Sequence, residues 1–179
     1  VAAVYTNHDY EPYATTRDAA VTELLATHQI PLHTSKDQVM FEKDEVQTKT
    51  GQPYKIYGPY KRAWLARLTE TDYAPHPSAE HLDRLARVPA GPRPTLADMG
   101  FERSPEHIPG RQLADRTLEQ YADTRDVPAR DSTSRMGLHL RFGTVSIRQL
   151  VQRALAAKAE IWLSELIWRD FFMQLLWHF

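Results

Sequence analysis

IWLSELIWRDFFMQLLWHF, residues 161–179, is the stretch whose reading decides the fold. It predicts one long helix, Ile161 to Phe179. Spacings of three and four put residues on a common face, so Trp162, Glu165 and Arg169 share one face and Glu165, Trp168 and Phe172 share the adjoining one. A carboxylate, a guanidinium and large aromatics then converge on one patch. A polar, planar ligand needs that combination: rings for stacking and a few charged groups for orientation. The plainer alternative makes Glu165 and Arg169 an i,i+4 ion pair and the tryptophans core, and on this run alone it is the favoured one. Glu165, Arg169 and Asp170 break the run's apolar character, and no segment reaches the roughly 18 apolar residues of a membrane span.

Working outward toward the N-terminus, three more helices are expected. Gln112 to Asp126 forms the first and stops before Pro128. Ser134 to Phe142 forms the second, with Gly143 just past its end. Ser146 caps the third, whose inner face is Ile147, Leu150, Val151, Ala154 and Leu155. Between the first two lies Asp131-Ser132-Thr133-Ser134-Arg135-Met136-Gly137. Three hydroxyl residues precede a helix start, where free N–H groups and the helix dipole attract anions. These residues suit either a phosphate site or a plain N-cap. Arg130, Arg135, Arg141, Arg148 and Arg153 face only Asp131 in the same stretch, which makes a local basic patch or a solvated face.

Residues 72–110 differ sharply. Pro75, Pro77, Pro89, Pro92, Pro94, Pro105 and Pro109 fall here, so the stretch predicts no long regular element and reads as an interdomain linker with a short helical piece at Ala79 to Arg87. Before it, Val1 to Thr6 predicts a buried strand of a parallel sheet. Asp18 to His28 predicts a helix with Val21, Leu24, Leu25 and His28 on one face, and Ile30 to Thr34 predicts a second strand. This order indicates an α/β layer. Tyr54 to Tyr57 reads as extended, and Pro59 opens a helix whose apolar face is Tyr60, Trp64, Leu65 and Leu68.

Composition narrows the classes. A hydrophobic fraction of 42% suits a globular protein, and a net charge of −1 gives no overall pull toward nucleic acid. The absence of cysteine excludes disulfides and thiolate metal sites and fits a reducing, cytoplasmic setting. The eight histidines are scattered without metal-ligand spacing. Val1 opens inside an apolar run and Phe179 ends inside an apolar helix, which leads us to read the chain as an internal stretch of a longer protein.

Taken together, these segments resemble the DNA photolyase/cryptochrome family, most closely class I cyclobutane pyrimidine dimer photolyases. Tyr121 to Pro128 is similar to the family's Y-x-x-x-R-D-x-P. Thr133 to Gly137, with Leu140 to Gly143 and Val145 to Arg148, is similar to TSRLS…G-x-x-S-x-R. Ser164 to Phe172 resembles NELIWR[DE]FY, and Asn7 to Pro12 and Tyr54 to Leu65 resemble two segments of the N-terminal domain. The resemblance implies an α/β fold, part of a Rossmann-like antenna domain (1–71), then the linker (72–110) and the first helices of an all-α FAD-binding domain (111–179). It implies FAD contacts from Tyr121, Thr133, Ser134, Arg135, Met136, Gly137, Trp162 and Arg169. Glu165 would hydrogen-bond the damaged pyrimidines, and Trp168 would stack on the flipped dimer. Arg125, Glu165, Trp168, Arg169 and Phe172 would face DNA.

The implied reaction is light-driven electron transfer from reduced FAD to a pyrimidine dimer in DNA, with a blue-light sensor as the alternative. Two departures stand out: Gly137 replaces a serine of many members, and Tyr13-Ala14 replaces the Asn-Glu pair of folate-antenna members, which argues against a folate antenna. The resemblance further implies a cytoplasmic protein, nucleoid-associated when bound to DNA, with no membrane or metal partner. Residues 1–179 by themselves are expected to be inactive and to self-associate through bare aromatic faces.

Overall fold

The structure, a computed structural model, describes residues 1–89 and 91–179; Ala90, inside the expected linker, lies outside the described residues. Two compact units are present, residues 1–74 with 111–179, and residues 75–110. In the first unit, β1 (Val4–Asn7), α1 (Pro12–Thr27) and β2 (Leu32–Ser35) form a β-α-β crossover. The two strands pair in parallel with Val4 opposite Leu32 and Asn7 opposite Ser35. A parallel pair needs such a crossover, because a hairpin cannot join strands running the same way.

The strands and α1 are more open than expected. Tyr5 is 75% exposed and Leu24 61%, and Val21 is also exposed. Of the face expected from helical spacing, Val21, Leu24 and His28 are exposed and Leu25 is half-buried; Ala14 alone is buried in α1. α1 also starts earlier than Asp18, because Pro12 fits the first turn, where its missing N–H has no partner to lose.

Helix α2 (Tyr57–Arg67) carries Pro59 in its first turn and buries Tyr60 and Trp64, while Leu65 points to solvent. Then come α3 (Asp115–Thr124), α4 (Gly137–Arg141), α5 (Ile147–Ala156) and α6 (Glu160–His178). α2, α3 and α5 all pack against α6. One core therefore joins Met40, Phe41, Tyr60 and Trp64 to Leu118, Ile147, Val151, Trp162, Ile167 and Phe171. Residues from both sides of the expected linker share this core.

Several boundaries shift for local reasons. α3 begins at Asp115 rather than Gln112. α4 keeps only five residues because Arg135 sits in the left-handed region (φ 51°), which ends any helix running back to Ser134. Gly143 follows α4 with φ 62°, as its placement past the helix end predicts. Ser146 occupies the N-cap position of α5 but makes no side-chain cap bond. Ile147, Leu150, Val151 and Ala154 are buried as expected.

The unit 75–110 is described by itself. It holds a short 3-10 helix, Ser78–Arg84, and a turn closed by Thr95 and Asp98, whose carboxylate accepts from the Thr95 N–H (2.8 Å) and hydroxyl (2.7 Å). Those bonds hold the Asp98 carboxyl below the usual range.

Candidate functional site

Helix α6 sorts its residues by face. Trp162, Leu163, Leu166, Ile167, Asp170, Phe171 and Gln174 recur at helical spacing and are buried. Glu165, Trp168 and Arg169 border that stripe and are half-buried, and Phe172 is 59% exposed. The shared patch of Glu165 and Arg169 expected from spacing does not form, nor does their ion pair. Arg169 turns inward and donates to the backbone carbonyls of Gln38 and Leu140 (3.4 Å for the latter). Burial holds its guanidinium below the ordinary value, with Asp170 acting in the opposite direction. Glu165 instead pairs with Arg125, at the end of α3, which also meets Asp126 at 3.3 Å. The Arg125 guanidinium lies over the Tyr121 ring, 5.5 Å from its centroid. Hydrogen bonding to Glu165 raises the Arg125 pKa further.

Trp168 is gripped from α2. The Tyr57 ring lies parallel to its indole, with centroids 3.5 Å apart and planes 7° apart. Phe172 stacks at 5.5 Å, and Phe171 meets the indole edge-on at 5.7 Å. Such aromatic contacts fix a ring's plane as well as burying it. A carboxylate and an indole one turn apart on α6 are thus each held by a partner from another helix.

The remaining expected ligand-binding residues divide in two. Trp162 and Met136 lie in the core, each 2% exposed, and present no surface. Tyr121 and Ser134 are half-buried, and Thr133, Arg135 and Gly137 are exposed. Arg135 pairs with Asp131 at 2.8 Å. Ser132 donates to the Thr124 carbonyl at 3.1 Å, which docks the hydroxyl loop on the end of α3. An open cavity of about 520 Å³ lies there, lined by Arg116, Thr117, Gln120, Thr124, Arg130, Asp131 and Ser132 among others.

The basic patch is mostly spent within the molecule. Arg141 meets Glu11 at 2.9 Å, Arg153 pairs with Asp115, and Arg148 donates to the Asp37 carbonyl at 3.2 Å. Among the described residues no group of histidine, aspartate or glutamate could hold a metal ion, and no helix is long and apolar enough to cross a membrane.

Two residues of this region escaped the sequence reading. The sequence marks Tyr57 as the end of an extended segment and as part of the family-like stretch Tyr54 to Leu65, with no role of its own. Asp170 is fully buried, and its Oδ2 accepts from the Met40 N–H (3.1 Å), the Phe41 N–H (3.3 Å) and Trp64 Nε1 (3.0 Å). A carboxylate within the apolar stripe of α6 was the available signal, since buried charge demands partners. Burial raises its pKa to about 6, against the opposing pull of those donors and Arg169.

The family model for DNA photolyase matches residues 1–80. A deoxyribodipyrimidine photo-lyase from Synechococcus is 32% identical over 203 residues, covering 99% of this chain and 42% of that protein. One from Halobacterium salinarum is 32% identical over 194 residues, covering 96% and 40%. The chain therefore spans about two fifths of the length of these curated relatives. A crystal structure of a bacterial class III photolyase from Agrobacterium tumefaciens superposes with a TM-score of 0.77 over 100% of this chain and 41% of its own, at 24% identity, which speaks to the fold. With a DNA photolyase family model on its β-α-β part and photo-lyase relatives matched through α6, the chain is similar to DNA photolyases along nearly its whole length.

Proposed function

We propose that, in the full-length protein, these residues serve light-dependent repair of cyclobutane pyrimidine dimers in DNA. The observation that carries this reading is the pair on α6: a half-buried carboxylate, Glu165, one turn from an indole, Trp168, whose plane is fixed by Tyr57. A base flipped from a duplex needs a ring to stack on and a hydrogen-bonding group at its edge. Glu165 accepts hydrogen bonds from the pyrimidine N–H groups, and Trp168 stacks on the lesion with the exposed ring of Phe172 at its margin. Arg125, now paired with Glu165, reaches a DNA phosphate; the ion pair holds both groups oriented until DNA arrives.

The donor set fits FAD. Thr133 and Ser134 offer hydroxyls, Arg135 an exposed guanidinium and Gly137 an open backbone, a combination suited to a pyrophosphate. Tyr121 adds a half-buried ring, while Met136, Trp162 and Arg169 hold the loop and α6 in place from beneath. FAD, when bound and reduced, supplies the light-driven electron. The chain's own residues bind, orient and keep the lesion out of water. Because Phe172, Leu176, Trp177 and Phe179 leave α6 bare on one side, residues 1–179 alone form one wall of the site. By themselves they neither retain FAD nor repair DNA, and the bare face favours self-association.

The test is blue-light irradiation of a dimer-containing oligonucleotide with the FAD-loaded full-length protein. Loss of dimers that requires light and protein supports repair. Flavin photoreduction with dimers left intact would instead identify a light sensor. Repair by residues 1–179 alone would overturn the one-wall reading.

A further inference from the structure

Tyr57 makes the closest ring contact among the described residues, with Trp168. Its ring covers one face of Trp168 at 3.5 Å and 7°, with Phe171 edge-on to both rings at 5.9 and 5.7 Å. The far end of the same side chain is anchored on α6. The Tyr57 hydroxyl lies 2.8 Å from the Ser164 carbonyl and 2.7 Å from Ser164 Oγ. Lys61, one turn along α2, donates to that Oγ at 3.0 Å. Burial raises the phenol's pKa, so it stays a neutral donor. A tyrosine bonded at its tip and stacked on its face has neither ring rotation nor tilt to spare.

We propose that Tyr57 is a positioning residue for lesion recognition: it locks the indole plane of Trp168 and closes one of its two faces to a flipped pyrimidine dimer. Ser164 and Lys61 complete the lock, and Ser164 immediately precedes Glu165, so one anchor sets the plane of the ring and the helix turn that carries the carboxylate. The proposal rests on Trp168 being the stacking surface for the lesion. A free indole would sample several rotamers, and each unproductive one weakens binding of the flipped dimer while leaving backbone contacts to undamaged DNA untouched.

The test is dark binding of the FAD-loaded full-length protein to an oligonucleotide with one dimer and to the same oligonucleotide undamaged. Tyr57→Leu removes the stack and is expected to cut the preference for dimer DNA about tenfold, with affinity for undamaged DNA and FAD content unchanged. Tyr57→Phe keeps the ring, loses the anchor and is expected to retain most of the preference, within about threefold. If the wild-type protein shows no preference for dimer DNA, the functional reading itself fails. If it shows one and Tyr57→Leu keeps it, the positioning role is overturned. A loss of both affinities together in Tyr57→Leu means a folding role and also overturns it. Should that variant not fold, Tyr57→Met decides, because it keeps an apolar side chain without the stacked ring: an unchanged preference overturns the proposal, and a loss confined to dimer DNA supports it.

Discussion

Asp170 and Glu165 lie five positions apart on α6 and meet opposite fates. Asp170 is wholly inside, and three N–H donors make its charge tolerable. Its pKa of about 6 lies above the 3.8 of a free carboxyl, so the native state holds the extra proton. The resulting stability is complete below pH 3.8 and lost as pH rises through about 6. Asp170→Asn, which does not titrate, should flatten the fall in denaturation midpoint across that window; an unchanged slope would place the titration elsewhere. Glu165 pairs instead with Arg125 at a half-exposed position, with side chains 35% and 33% exposed. Arg125→Ala should therefore leave the denaturation midpoint almost unchanged. In the full-length protein it should lower the salt slope of DNA binding by about one unit, the signature of one lost phosphate contact. Spacing on a helix identified Glu165 and Trp168 as neighbours, because i,i+3 geometry is local. It could not identify Arg125, Tyr57 or the carbonyls of Gln38 and Leu140 as their partners, because those contacts span 29 to 131 residues of chain.

At the scale of elements, the hydrophobic stripe of α5 was legible and the caps were less so. Ser146 stands at the N-cap of α5 without bonding there, and residue type alone does not fix a hydroxyl's rotamer. Gly143 was legible because a left-handed residue after a helix selects glycine. Nothing lies within 4 Å of the Cβ that an alanine would add at Gly143 or at Gly137, so only backbone conformation separates them. Gly143→Ala, at φ 62°, should destabilise by about 1 kcal/mol. Gly137→Ala, in α4, should leave the thermal midpoint unchanged or slightly raised. Equal effects at the two glycines would mean that the left-handed turn does not end α4.

Across the whole molecule, the α/β order, the proline-rich stretch and the helical half could all be read from periodicity and proline placement. Their packing could not, since it depends on which stripes meet. Residues 1–74 and 111–179 share one core through Trp64, Phe41 and Asp170. A protease cut within 75–110 should therefore leave two pieces that co-elute on size exclusion and separate only in denaturant; separation under native conditions would contradict the shared core. That core holds α2 against α6 and so sets the ring of Tyr57 on Trp168, the surface on which the account of function depends. The most direct measurement is the dark affinity of the full-length protein and its Trp168→Ala variant for DNA with and without one pyrimidine dimer. The account predicts a wild-type preference for dimer DNA that falls about tenfold or more in the variant, with undamaged DNA bound equally by both. A preference that survives loss of the indole would contradict it.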